Sequence, residues 1–201
     1  AYGIPVADWR VASSSREAVQ AAAEIGFPVV VKADSESIVH KSDVGGVAVD
    51  LKDREAVRSV VEGMAEKLGD EGLRFFVQEY CPGGMEIIVG AKAEEGLGHL
   101  VMFGLGGIYV EVLEDVVFKL SPVTTVEVRE MLSSIKAAPL LRGIRGEEGV
   151  DQRGIAEIIQ RLSQLVTDHP EITELDINPL IVYPEGDGCV VADSRILLKK
   201  Q

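Results

Sequence analysis

Cysteine is nearly missing from this 201-residue sequence: Cys81 and Cys189 are the two it has. Two are too few for a disulfide framework, and neither sits in a CxxC or Cys/His cluster with zinc spacing, so both read as reduced thiols. Long apolar runs are missing as well. No stretch approaches the ~20 apolar residues of a membrane-spanning helix, and no basic segment followed by an apolar one marks a leader, so no membrane contact is expected and the expected setting is cytoplasmic. Basic residues are scarce, with 20 Lys and Arg against 33 Asp and Glu and a net charge of −13. That balance argues against nucleic acid as the main partner, because such binding runs on clustered Lys and Arg that neutralise phosphates. An anionic substrate would need a locally positive pocket. Neither common phosphate fingerprint occurs: there is no G-x-x-x-x-G-K-[ST], and Gly104-Leu105-Gly106-Gly107 runs into Ile108-Tyr109-Val110, a strand pattern where a dinucleotide fold needs a helix. Low-complexity segments and internal repeats are absent.

What is present is a substantial apolar fraction, 46%, ample for the core of one large domain or two small lobes. Ala18, Val19, Ala22 and Ile25 recur at helical spacing between a Ser13-Ser14-Ser15 cap and Gly26, and a short strand pattern, Pro28 to Lys32, follows. A second apolar run, Gly46 to Leu51, leads to an Asp53 cap and a helical pattern from Ala56 to Leu68, closed by Gly69. From Leu73 the chain turns strand-like: Arg74 to Glu79, Met85 to Ala93, His99 to Phe103 and Ile108 to Leu113 are expected as neighbours in an antiparallel sheet. Helical patterns return at Thr125 to Ile135 and Asp151 to Thr167, before a final strand pair, Glu174 to Tyr183 and Cys189 to Leu197. The expected fold class is α+β (α/β), with residues 1–77 in one lobe and 78–201 in the other. Ala1 to Val6 reads as a loop entering a strand, so the chain is expected to be a domain of a longer polypeptide.

Several side chains carry chemistry. Lys32 ends an apolar strand and is either a phosphate ligand on a fixed stem or a snorkelling surface lysine. Gly45 and Gly46 permit close backbone approach, and successive N–H groups in such a turn can cradle phosphate oxygens. His40, beside Lys41 and Ser42, is either a solvated loop histidine or a phosphoryl acceptor, since a neutral ring nitrogen is a good nucleophile near pH 7. His99 and His169 read as structural. Glu79 and Glu86 flank the Tyr80-Cys81-Pro82-Gly83-Gly84 turn, where backbone can read an adenine edge and a carboxylate can accept from ribose hydroxyls; solvated glutamates are the alternative. If the last two strands form a hairpin in which Tyr183 faces Gly188, counting outward sets Asn178 opposite Asp193, with Asp176 on the same face. That oxygen set suits Mg²⁺, which takes few protein ligands and keeps the rest for water and phosphate. A one-residue slip would separate the pair.

Taken in order, Tyr2-Gly3-Ile4-Pro5, Val30-Val31-Lys32, His40-Lys41-Ser42-Asp43-Val44-Gly45-Gly46-Val47, Met102 to Ile108, Leu141-Arg142-Gly143-Ile144-Arg145-Gly146 and Asp176-Ile177-Asn178-Pro179-Leu180 span nearly the whole chain. They resemble the ATP-grasp domain of NDP-forming acyl-CoA synthetases, the ADP-forming acetate–CoA ligase type, which are relatives of the succinyl-CoA synthetase β subunit. The resemblance implies an ATP-grasp fold whose two lobes clamp ATP or ADP. It implies Lys32 on the phosphates, Glu79 and Tyr80 at the adenine, Glu86 at the ribose, and Asn178 with Asp193 on Mg²⁺. The reaction implied is acyl-CoA + ADP + phosphate giving acid + CoA + ATP, reversibly and through phosphohistidine, with His40 carrying the phosphoryl group in this domain. A CoA-ligase (alpha-type) subunit or domain is the implied partner and would bind acyl-CoA and phosphate; without it full turnover is not expected. Arg142 and Arg145 rank lower, as phosphate or partner contacts. Two alternatives stand beside this reading. One is a regulatory ATP-grasp module of a multidomain protein acetyltransferase, which has no chemical need for Lys32, His40, Asn178 and Asp193 together. The other is a ligase joining a carboxylate to an amine, which gives His40 no role.

Overall fold

Residues 1–34, 45–69, 72–107, 115–144, 146 and 148–199 are described by a computed structural model. The chain forms two units, each with its own core: Ala7–Pro82 is one, and Ala1–Val6 together with Gly83–Gln201 is the other.

In the first unit the strands are β1 (Trp9–Ala12), β2 (Val29–Asp34), β3 (Val47–Leu51) and β4 (Arg74–Glu79), in the order β1-β4-β2-β3 and antiparallel throughout. In β2, Val29, Val31 and Ala33 are buried on the face that meets the core, and on the other face Val30 is buried while Lys32 and Asp34 are half-exposed. Helix α1 (Ser15–Ile25) starts where the Ser14 side chain accepts from the Glu17 N–H at 3.3 Å, and α2 (Arg54–Leu68) where Asp53 accepts from the Ala56 N–H at 2.8 Å. Gly69 ends α2 at φ 58°, a left-handed conformation that glycine adopts without steric cost. Ala18, Ala21 and Ala22 of α1 and Val57, Val61 and Met64 of α2 pack with Val29, Val31, Phe75 and Val77.

The sequence expectation for Arg74–Glu79 is corrected here. This segment does not join the later antiparallel strands; it inserts between β1 and β2 and completes the first sheet. Its alternating Phe75 and Val77 are as compatible with one core as with the other, so pattern alone does not choose the sheet. A boundary after residue 77 would cut β4, whereas the two units divide at Pro82/Gly83.

The second unit holds β5 (Met85–Glu94), β6 (Gly98–Leu105), β7 (Val116–Leu120), β8 (Ile172–Val182), β9 (Cys189–Val191) and β10 (Ser194–Leu198), ordered β10-β8-β5-β6-β7 with β9 also paired to β8. Helices α3 (Thr125–Ser134), α4 (Ala138–Leu141) and α5 (Gln152–Asp168) lie on one face. Ile155, Ile158, Ile159 and Leu162 of α5 meet Ile87, Val89, Phe103, Leu105, Leu175, Ile177 and Leu180 of the sheet. Each such side chain contributes roughly 1.5–3 kcal/mol by leaving water. Thr124 and Glu127 form a reciprocal capping box at the start of α3. Buried polar groups tie the layers. Asp115 accepts from the N–H groups of Lys136 and Ala137 at 2.7 Å each, Ser163 accepts from the Val123 N–H at 2.8 Å, and His99 Nε2 lies 2.7 Å from the Ile172 carbonyl oxygen.

Two further expectations change. The run Cys189–Leu197 is divided at Ala192–Asp193 into β9 and β10. The strand expected at Ile108–Leu113 lies outside the described residues, and β7 begins at Val116. Among the described residues no helix is long and apolar enough to cross a membrane, and both cysteines are free thiols.

Candidate functional site

The β8–β9–β10 arrangement builds the acidic part of the site. Tyr183 donates its N–H to the Gly188 carbonyl at 3.0 Å, and the pairs Val182↔Cys189, Leu180↔Val191, Ile177↔Ser194 and Asp176↔Arg195 keep one continuous register. Within it the Asn178 N–H donates to the Asp193 carbonyl at 3.1 Å, and Ala192 returns a bond to Pro179 at 3.1 Å. Asn178 and Asp193 are therefore directly opposed, the pairing that the hairpin count expects, and directly opposed residues share a sheet face.

On its other edge β8 is irregular. Ile87 pairs with Leu180 but Val89 pairs with Ile177, so Asn178 and Pro179 together oppose Ile88. This bulge lets Ile177 and Leu180, three residues apart, both enter the core while Asn178 stays exposed. Asp176 is half-buried on the same side. Burial pushes its carboxyl above the usual carboxylate range; Arg195 opposes that shift, and the carboxylates of Glu174 and Asp193 add to it. Arg195 forms an ion pair with Glu174. Opposite Asp176 stands Gly90, where a Cβ would come within 3.0 Å of the Leu175 carbonyl and 3.7 Å of Asp176 Oδ1, so the absent side chain keeps the space before the carboxylate open. Ser194 donates its N–H to Asp193 Oδ1 at 3.1 Å, fixing that carboxylate against the chain.

Glu86 is the second residue of β5 and is exposed. Its carbonyl accepts from the Gly106 N–H at 2.7 Å, a Cβ on Gly106 would lie 2.9 Å from its carbonyl carbon, and a Cβ on Gly107 would lie 3.3 Å from its Oε2. Gly106 and Gly107 were not singled out as partners of Glu86 by sequence reasoning; the run Gly104-Leu105-Gly106-Gly107 carried the signal, since consecutive glycines mark close backbone approach.

The remaining candidates lie in the Ala7–Pro82 unit. Lys32 sits on β2 opposite Phe76 and Val47, half-buried. Gly45 has φ 73°, and Gly46 is buried with its carbonyl accepting from the Ala33 N–H at 2.7 Å, so it extends the β2–β3 ladder beside Lys32. Glu79 ends β4; its N–H donates to the Asp8 carbonyl at 2.8 Å, and its carboxylate accepts from the Asp8 N–H at 3.4 Å. The Tyr80 N–H is engaged by the Pro28 carbonyl at 3.2 Å, which leaves that donor unavailable to a base. His40 and Arg145 lie outside the described residues. His99 is buried, and His169 caps the end of α5 against Glu171 at 3.1 Å, both structural positions.

The donor set of Asn178 and Asp176 on β8 and Asp193 just before β10 fits a hard divalent ion. It offers an amide and two carboxylates, all oxygen, on one face. Among the described residues no three His, Cys, Asp or Glu side chains converge closely enough to hold a metal by themselves.

Comparison with known proteins decides the family. Residues 1–198 match the model of an ATP-grasp domain. The chain belongs to the ATP-grasp domain family. This ATP-grasp domain is 42% identical over 202 residues to the β subunit of the Pyrococcus furiosus acetate–CoA ligase [ADP-forming] I, covering 98% of this chain and 86% of that one. It is 47% identical over 203 residues to the Nitrosopumilus maritimus 4-hydroxybutyrate–CoA ligase [ADP-forming], where it spans 29% of the longer protein's length. Among solved structures it superposes with a TM-score of 0.87 on a chain of the Ca. Korarchaeum cryptofilum acetyl-coenzyme A synthetase 1, at 42% identity, covering 98% of this chain and 87% of that one. That structure holds coenzyme A and Mg-AMPPCP, with its phosphohistidine segment pointing towards the nucleotide binding site. The ATP-grasp domain thus occurs in its relatives both as a separate β subunit and as part of a longer ligase chain.

Proposed function

We propose that this ATP-grasp domain is the nucleotide-binding and phosphoryl-transfer part of an ADP-forming acyl-CoA synthetase, an acid–thiol ligase that converts acyl-CoA, ADP and phosphate into acid, CoA and ATP. Its share of the reaction is the reversible passage of a phosphoryl group between a histidine and ADP: the N–P bond breaks as the bond to the ADP β-phosphate oxygen forms. His40 is the proposed carrier in this chain. Acyl-CoA and phosphate would bind to a CoA-ligase part, as a separate subunit or on the same polypeptide, and full turnover requires that partner. The proposed setting is the cytoplasm, supported by the two free thiols.

The observation that carries this reading is the opposition of Asn178 and Asp193 on one sheet face, with Asp176 beside them. These residues would hold Mg²⁺, which when bound supplies positive charge against the phosphate oxygens. Lys32 adds a point charge for phosphate on a stem fixed by β2. The Gly45-Gly46 backbone lies beside that strand. Glu79 and Tyr80 take the base side, where the engaged Tyr80 N–H assigns base contacts to other groups of that turn. Glu86, held by Gly106, takes ribose hydroxyls.

Calorimetric titration with ADP and ATP, with and without Mg²⁺, tests it. Mg²⁺-dependent binding that weakens in Asp193→Ala is expected. Binding that ignores both the metal and the substitution would overturn the metal assignment, and no nucleotide binding under any condition would overturn the function.

A further inference from the structure

On the side of the second sheet opposite Asn178 and Asp193, a groove of about 520 Å³ opens between α3 and α5. Three arginines from three different helical elements line it: Arg129 of α3, Arg142 at the end of α4 and Arg153 in the first turn of α5. Its floor is apolar, with Leu132 and Ala138 buried and Ala156 half-buried. Thr125 and Gln160, joined by a hydrogen bond from Gln160 Nε2 to Thr125 Oγ1 at 2.9 Å, also line it.

The charge balance of this groove runs against that of the chain. The sequence carries a net −13, yet the groove presents three guanidinium groups and a single carboxylate, Glu157. Glu157 is already shared, accepting from Arg153 and from Arg161 at 3.3 Å each. Arg129 and Arg142 make no ion pair with any described residue. Arg153 is also misplaced for helix stability: a cation in the first turn meets the positive end of the helix dipole, and Arg before Glu at i,i+4 is the weaker orientation of that pair. Three cations that line one groove and do little for the fold are suited to an anion, and guanidinium forks match phosphate oxygens bidentately. The volume and apolar floor suit a ligand with a ring or hydrocarbon body.

We propose that this groove binds a small phosphorylated ligand, its phosphates held by Arg129, Arg142 and Arg153 and its apolar or ring body lying on Leu132, Ala138 and Ala156. The site stands on the helical side of the sheet and does not depend on the nucleotide reading.

Methyl NMR of the full chain in about 0.1 M salt tests the assignment, with adenosine 3′,5′-bisphosphate as probe and inorganic pyrophosphate as the charge-only control. The bisphosphate should shift the methyl resonances of Leu132, Ala138 and Ala156 and bind more tightly than pyrophosphate. The Arg129→Gln/Arg142→Gln variant should weaken it by at least about tenfold at an unchanged thermal midpoint, since both side chains are exposed and Gln is a comparable helix former. Asp193→Ala should leave these shifts as they are, which separates this groove from any nucleotide bound elsewhere. Absence of shifts at the three methyls, equal affinity for the two probes, or shifts that persist unchanged in the double variant would each overturn the proposal.

Discussion

Asn178 and Asp193 are joined through their backbones, the N–H of one donating to the carbonyl of the other at 3.1 Å, and each is the other's cross-strand neighbour in a register that runs unbroken from Tyr183–Gly188 to Glu174–Leu197. Their side chains therefore project from one sheet face as neighbours.

The first prediction concerns that pair. In a double-mutant cycle on Mg²⁺-dependent ADP binding, Asn178→Ala and Asp193→Ala are expected to be non-additive, with a coupling of about 0.5–3 kcal/mol as for residues that share a partner. Calorimetry on the four proteins reads the coupling directly. Additive losses would mean that the two residues act at separate places.

Gly84 is packed with no room for a side chain. A Cβ there would lie 2.3 Å from Ile181 Cγ2 and 3.0 Å from the Val182 carbonyl oxygen, and the backbone contact cannot be relieved by a rotamer change. Gly84→Ala is expected to lower unfolding stability by about 1–3 kcal/mol, the usual cost of overpacking, seen as an earlier urea midpoint. Gly83, the preceding residue, faces open space but at φ 79°, and should respond through backbone strain instead.

Asp151 is a buried carboxylate with two duties. It accepts from the Gly154 N–H at 2.8 Å, capping α5, and from the Gly188 N–H at 3.1 Å, which holds the β8–β9 turn to the helix. Asp151→Ala removes both acceptors and strands two donors. A loss of about 1–3 kcal/mol is expected, and hydrogen exchange should speed up at Gly154 and Gly188 before it does in β5.

Cys189 is predicted to be chemically quiet. Burial, with help from Asp151 and Glu157 and against Arg161, pushes its thiol up to about 11. Because the folded state favours the thiol, the associated stability is fully present below the unfolded thiol value of about 8.5. It is lost as pH rises towards about 11. Alkylation by iodoacetamide at pH 8 should be at least about tenfold slower for Cys189 in the native chain than in urea, since the thiolate is the nucleophile. Cys189→Ser should flatten the alkaline limb of the stability curve.

The parts of this molecule that could be read from sequence are those fixed by local rules. Ser14 and Asp53 stand where caps belong, and the helices begin behind them. The Asn178–Asp193 pairing followed from a turn and a period of two, because a hairpin register is set locally. What resisted was non-local. The choice of β1 and β2 as the partners of β4 depends on which core receives Phe75 and Val77, and both cores are apolar. The bulge at Asn178–Pro179 is visible only against β5, a strand some ninety residues earlier in the chain. The closeness of Gly106 and Gly107 to Glu86 likewise needs β5 and β6 to be paired before it has meaning.

The first six residues belong with a unit whose remainder begins at Gly83. Val6 forms a parallel bridge with Val191, and the Pro5 carbonyl accepts from the Val191 N–H at 2.9 Å. On the ribosome this segment emerges before the whole of Ala7–Pro82, and its partner long after it. Ala7–Pro82 can close its own sheet while still tethered, but residues 1–6 must wait for β9, so the second unit is completed only after β9 has emerged, and a chain stalled before Val191 would carry one finished unit and a leading segment still lacking its bridge partner.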